Sequence, residues 1–190
     1  MRLFVALRPP EAALSEVEAA VAPLREQWPG LRWVRRDLWH LTLAFLGEVD
    51  EQAGQDLNAR LERAARRHPP QVLAFGGGGA FPRAARATVV WTGVDGDRRA
   101  LGALTGSVAA AARRAGAPAA GEGRKARPHL TLARCRQPED VRALTGSLAG
   151  FRTAAWTASE IALMRSYLGG TTRHEVVGTW PLAAAPPASR

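Results

Sequence analysis

The chain has 190 residues, 46% of them hydrophobic, and a formal net charge of +9. That is enough apolar material for one compact domain or two lobes sharing a core, while no apolar run reaches the ~20 residues of a membrane helix. A single cysteine, Cys135, excludes an internal disulfide and a cysteine metal cluster, which fits a reducing cytoplasm.

The positive charge points toward polyanions, nucleic acid among them. Lys125 is the only lysine beside the many arginines, a bias that singles out no one arginine. In chain order, Arg2 to Arg8 reads as a strand with Leu3, Val5 and Leu7 on one face. The Arg8-Pro9-Pro10 that follows is no signal-peptide cleavage site. Pro9-Pro10-Glu11 opens a helix with Leu14, Val17, Val21 and Leu24 at helical spacing, interrupted by Pro23 and ended by Trp28-Pro29-Gly30. Leu31 to Val34 is a short strand, Arg35 to Leu38 a turn, and Trp39 to Leu46 a strand that Gly47 breaks.

Asp50 caps a helix to about Arg67 that buries Leu57, Leu61 and Ala64. Gln71 to Phe75 reads as a strand and Gly76 to Gly79 as a flexible or bulged passage. It is no phosphate loop, because no Gly-Lys-Ser/Thr follows. Ala87 to Val94 is a strand, Asp95-Gly96-Asp97 begins a helix to about Ala115, and Gly116 to Arg127 is the least structured internal stretch. His129 to Ala133 is a strand and Pro138-Glu139-Asp140 starts a fourth helix. Trp156 to Tyr167 reads as one long strand, turned by Gly169-Gly170 into a partner over Arg173 to Trp180, and residues 183–190 as a disordered tail. Strands and helices mix without strict alternation. The expectation is an α+β fold of mainly antiparallel sheets with helices outside, in one domain over residues 1–182.

One pentapeptide occurs twice: His40-Leu41-Thr42-Leu43-Ala44 and His129-Leu130-Thr131-Leu132-Ala133. Such a repeat suggests an internal duplication. Strand alternation sends His40 with Thr42, and His129 with Thr131, to one face while the leucines pack behind. Two facing strands of this kind bring two imidazoles and two hydroxyls into one small volume. One neutral imidazole takes a proton and the other, protonated, gives one, and a phosphodiester suits that pair because it has a leaving oxygen and charged non-bridging oxygens. Arg127, two residues before His129, would share its face in a regular strand and offer a bidentate phosphate contact.

Blander readings compete. A lone His-x-Thr is usually only strand, and a zinc site would lack any carboxylate or cysteine ligand near either motif. His68 reads as a helix-end residue, His174 as a strand side chain and Cys135 as an incidental thiol. Trp33, Trp39 and Phe45 could stack a base, but core packing is the plainer role for at least two. Phe45 in particular shares the parity of the leucines.

The segments His40 to Gly47 and Arg127 to Arg134, with their separation, resemble the two-histidine (2H) phosphoesterases. The likeness is strongest to the RNA 2′,3′-cyclic phosphodiesterases, also called LigT or 2′-5′ RNA ligases. The opening strand and the stretches Glu160 to Ser166 and Trp180 to Leu182 share it. This resemblance implies a bilobal α+β fold with a pseudo-twofold, one His-x-Thr strand per lobe, and hydrolysis of RNA 2′,3′-cyclic phosphate ends to 2′-phosphates without metal or cofactor; a monomer is the separate expectation for the chain. It implies His40 as proton donor to the 3′-oxygen and His129 as the base for water. Thr42 and Thr131 would hold phosphate oxygens, aided by Arg127. Arg134 also matches a family position, although its strand parity points away from the histidines. The reverse reaction would join RNA ends through a 2′-5′ bond. Ala126 stands where an aromatic residue is common in the family and His174 where tyrosine is. A non-catalytic RNA-binding protein and a phosphodiesterase for small cyclic nucleotides stay open as alternatives.

Overall fold

The computed structural model describes residues 1–117, 127–167 and 171–183. Most of the expected Gly116 to Arg127 loop, Ala126, the Gly169-Gly170 turn and all but the first residue of the expected tail lie outside them.

The first strand, β1 (Arg2–Leu7), is central in a four-stranded antiparallel sheet with order β3-β1-β8-β9, where β3 is Leu41–Glu48, β8 Glu160–Tyr167 and β9 Arg173–Pro181. A five-stranded antiparallel sheet has order β2-β6-β5-β4-β7, with β2 Arg32–Trp33, β4 Gln71–Phe81, β5 Ala87–Gly96, β6 His129–Glu139 and β7 Trp156–Ala158. Helices α2 (Glu51–Ala65) and α3 (Arg98–Arg114) lie against the first sheet, and α1 (Glu11–Gln27) and the short α4 (Arg142–Ser147) against the second. The fold is therefore α+β with two antiparallel sheets. One apolar core runs through both: Val5 and Leu7 of β1, Leu130 and Leu132 of β6, and Leu57, Leu101 and Leu144 of the helices belong to a single buried cluster.

The predicted face of β1, Leu3, Val5 and Leu7, joins that core. Its other face is buried as well, because Phe4 and Ala6 pack with Ala162 and Met164 in a second small cluster. A central strand is covered on both sides, so alternation alone shows only half of its burial.

Several boundaries differ from the expectations, for a common reason: pairing with a neighbouring strand overrides the local breaker. Gly47 does not end β3. It takes a left-handed φ of 66° beside a bulge, and the strand continues to Glu48. Gly76 to Gly79 are ordered within β4, with Gly77 at φ 66° in a second bulge. A Cβ on Gly79 would stand 2.2 Å from the Trp91 ring, so the bare backbone is what lets that indole lie across the adjacent strand. Strand β5 extends to Gly96, and Asp97 caps α3 by accepting from the Ala100 N–H. Strand β6 runs through Pro138 to Glu139, which pairs with Ala87, so α4 starts only at Arg142. Trp156 to Tyr167 is two strands, since the chain crosses at Ser159 from the second sheet to the first. The Asp50 cap of α2 accepts from the Ala53 N–H, as its sequence position predicts.

Candidate active site

The two motifs face each other across a cleft between the sheets, a cavity of about 830 Å3 that His40, Thr42, His129 and Thr131 all line. His40 directly precedes β3 and His129 is the first residue of β6. Each imidazole is fixed in the same way. The His40 Nδ1 lies 2.7 Å from the Leu38 carbonyl, and the His129 Nδ1 lies 2.7 Å from the Arg127 carbonyl. A carbonyl only accepts, so each Nδ1 carries the proton and each neutral ring keeps its lone pair on Nε2.

The register explains a feature that alternation misreads. On β3, Val5 pairs with Ala44 and Ala6 with Thr42, which leaves Leu43 as an extra residue. On β6, Val90 pairs with Ala133 and Trp91 with Thr131, which leaves Leu132 as the extra residue. The second leucine of each motif is thus a bulge, and a bulge reverses the parity of everything after it. Phe45 and Arg134, each five residues past its histidine, both line the cleft as a result. The parity expectation was wrong for both. Phe45 is 51% exposed rather than in the core, and Arg134 stands on the histidine side rather than away from it.

Arg127 behaves differently. Its carbonyl holds His129, but its side chain is exposed and is not among the cleft-lining groups. Trp39 is buried in the core at 5% exposure, and Trp33 is half-buried with its indole N–H donating to the Trp28 carbonyl at 3.0 Å. His68 ties the end of α2 to α3 through Ser107, 2.8 Å away. Cys135 is half-buried, and burial with the nearby Glu139 charge pushes its thiol up, which suppresses the thiolate.

Sequence reasoning missed the walls. Phe4 supports the first half-site, with its ring centroid 4.6 Å from His40 and 4.9 Å from His174. His174 meets His40 edge-on at 5.2 Å. The second half-site rests on Phe81, edge-on at 4.9 Å from His129, and on Trp91 at 6.1 Å. His174 lies in a predicted strand, but only its pairing with Ser166 of β8 shows that it looks into the cleft. Arg2, Arg32 and Arg35 also line the cleft, and no carboxylate does among the described residues.

These surroundings keep the imidazoles neutral. Burial pushes His40 down to about 4, reinforced by charge on His174 and His129 and opposed by the Leu38 carbonyl. Burial also lowers His129, opposed by the Arg127 carbonyl and reinforced by the Arg134 guanidinium. Burial lowers His174 while Asp37 opposes it. An anion between the two rings would reverse this pressure and favour loading a proton on one of them. Among the described residues no group of three or more His, Cys, Asp or Glu is placed to hold a metal ion, and no helix is long and apolar enough to cross a membrane.

The profile of the 2′-5′ RNA ligase superfamily matches residues 6–170. An RNA 2′,3′-cyclic phosphodiesterase of Geobacillus stearothermophilus is 30% identical over 164 residues, covering 83% of this chain and 50% of that protein. The chain therefore spans about half the length of that relative. Escherichia coli LigT, crystallised with 3′-AMP, is 30% identical with a TM-score of 0.74 over 95% of this chain and 97% of its own. A protein of Thermus thermophilus superposes with a TM-score of 0.75 at 28% identity, covering 97% of this chain and 99% of its own.

Proposed function

The chain belongs to the 2′-5′ RNA ligase superfamily, and from that premise we propose that it is an RNA 2′,3′-cyclic phosphodiesterase that opens the cyclic end to a 2′-phosphomonoester without a metal. The observation that carries this reading is the pair of imidazoles, each anchored through Nδ1 by the carbonyl two residues earlier, with Nε2 free in a cleft that no described carboxylate lines.

Water attacks phosphorus as the His129 Nε2 takes its proton. The bond from phosphorus to the 3′-oxygen breaks, and the His40 Nε2–H delivers a proton to that oxygen. A 2′-phosphate and a 3′-hydroxyl result, and proton exchange with solvent resets the two rings. His40 is neutral in the empty cleft, with its pKa near 4, so the anionic phosphate is what loads it for this role. The Thr42 and Thr131 hydroxyls donate to the non-bridging oxygens, and Arg134 adds positive charge on the same face. Arg127 contributes its carbonyl to His129 instead of a guanidinium to phosphate. Phe45, exposed beside Phe4 with ring centroids 6.1 Å apart, offers a surface for the terminal base. Both histidines come from one chain, so a monomer suffices, and its single thiol suits the cytoplasm.

The test is a chelator-treated assay on a short RNA ending in a 2′,3′-cyclic phosphate, with the phosphate position of the product read out. A 2′-phosphate that His40→Ala and His129→Ala both abolish supports the proposal. Binding without ring opening would return the chain to an RNA-binding role.

A further inference from the structure

The His129 ring is tied at one point, by the hydrogen bond from Nδ1 to the Arg127 carbonyl 2.7 Å away. A single bond of that kind leaves the ring free to rock about it, so the direction of Nε2 rests on what packs against the ring. Phe81, the last residue of β4, meets it edge-on at 4.9 Å, and Phe81 leans in turn on Trp91 of β5, 5.3 Å away. Trp91 itself stands 6.1 Å from His129. Yet Trp91 is not among the cleft-lining groups, so it acts on the cleft only through these two rings. Its Nε1–H is buried and finds no acceptor among the described residues, which leaves shape as its means of action.

Gly79 is the seat of that indole. It pairs with Trp91 across the β4–β5 ladder, and the outer ring of the indole lies over its bare Cα. A Cβ there would stand 2.2 Å from Cη2 and 2.3 Å from Cζ2, well inside the roughly 3.5 Å at which two carbons touch. The first half-site has no equivalent, since Ala6 holds the ladder position of Trp91. We propose, resting on the reading above, that Gly79 and Trp91 are positioning residues for His129, the base. The indole, seated on Gly79, holds Phe81 and His129 so that Nε2 points at the attacking water.

Gly79→Ala and Trp91→Phe, alone and together, test this on a short RNA with a 2′,3′-cyclic end. Phe lacks the outer carbons that an alanine at position 79 would strike. Gly79→Ala should lower kcat by between about 10- and 100-fold, as a misplaced reacting group does, with KM little changed because neither residue lines the cleft. Trp91→Phe should cost less. In that background Gly79→Ala should cost little more, a coupling that comes from contact between the two. Titration of the imidazoles by NMR in the substrate-free protein adds a readout that needs no turnover. Burial is the largest influence lowering His129. Trp91→Ala, and to a smaller extent Trp91→Phe, lets water in, so His129 should titrate at higher pH while His40 barely moves. The charged and titratable groups lining the cleft with His129 are Arg134 on its own strand, Arg32 on β2, and Arg2, Arg35, His40 and His174 elsewhere; β4 and β5 contribute none, so the substitutions remove no charge. Equal losses from Gly79→Ala in both backgrounds, a loss in KM rather than kcat, or two histidines that shift together would overturn the inference and leave the proposed function intact. A wild type that opens no cyclic phosphate would overturn the proposed function. The titrations would then decide the positioning role alone: a shift of His129 only supports it, and no shift overturns it.

Discussion

The two half-sites share a skeleton and differ in their walls. In each, a histidine leans on the carbonyl two residues back, a threonine follows two residues on, and a bulged leucine brings the residue at the fifth position into the cleft. That residue is Phe45 in one and Arg134 in the other. Across the ladder from the threonine, Ala6 in β1 corresponds to Trp91 in β5. The bulky Trp91 is accommodated because Gly79 gives it room, whereas the small Ala6 leaves the floor of its half-site to Phe4 and His174. The equivalent backbone repeats one imidazole-and-hydroxyl unit, while the unequal walls set the surroundings of each ring. His40 is the more deeply buried, beside another imidazole, and His129 lies beside a guanidinium. In the proposed reaction, symmetry supplies two groups of one kind, and asymmetry lets them play opposite roles.

The sharpest way to break this comparison is to remove one imidazole at a time. His40→Ala and His129→Ala should each lower kcat by about 10²–10⁴, and the double variant should be little worse than either, because groups acting in one step are not additive. Independent, multiplying losses would mean the half-sites do not work together. Thr42→Val and Thr131→Val keep shape and remove the hydroxyl. Each should cost about 1.5–3 kcal/mol in kcat/KM, and a large loss for only one would show that the phosphate leans on a single lobe. Phe45→Ala should raise KM on RNA by about tenfold, the low end of a base-stacking contact, with kcat little changed.

The pH dependence is the finest probe. Both imidazole pKa values are lowered in the free protein, so the bell in kcat/KM should peak below the ordinary histidine value of about 6.5. The profile of kcat should lie to its alkaline side, because bound phosphate raises both. His174→Tyr removes a positive neighbour that depresses His40, so it should move the limb governed by His40 to higher pH by a few tenths of a unit, of the order of a screened charge contact. A downward shift would show that His174 acts on His40 through something other than its charge.

The duplicated pentapeptide made the paired histidines and threonines legible in the sequence, because a repeat with period-two polarity carries its own geometry. The helices were legible too, through Asp50 as a cap and Leu57 and Leu61 on one face. The residues at the fifth position were not. Nothing local marks Leu43 or Leu132 as a bulge, and one unpaired residue is enough to exchange core for cleft. Nor was β2 opposite β6 visible, or His174 beside His40, since each contact depends on which strand neighbours which. Arg127 shows another limit of spacing. Its spacing suggests a guanidinium at the phosphate, and the described contact it makes there is through its carbonyl, which meets His129, while its exposed side chain is not among the cleft-lining groups.

The most direct test of opposite roles for equivalent groups is a substrate in which sulfur replaces the 3′-bridging oxygen of the cyclic phosphate. Sulfur leaves without protonation. The account predicts that this substitution restores much of the activity lost in His40→Ala and none of that lost in His129→Ala. Rescue of His129→Ala instead, or of neither variant, would contradict the assignment of acid to one half-site and base to the other.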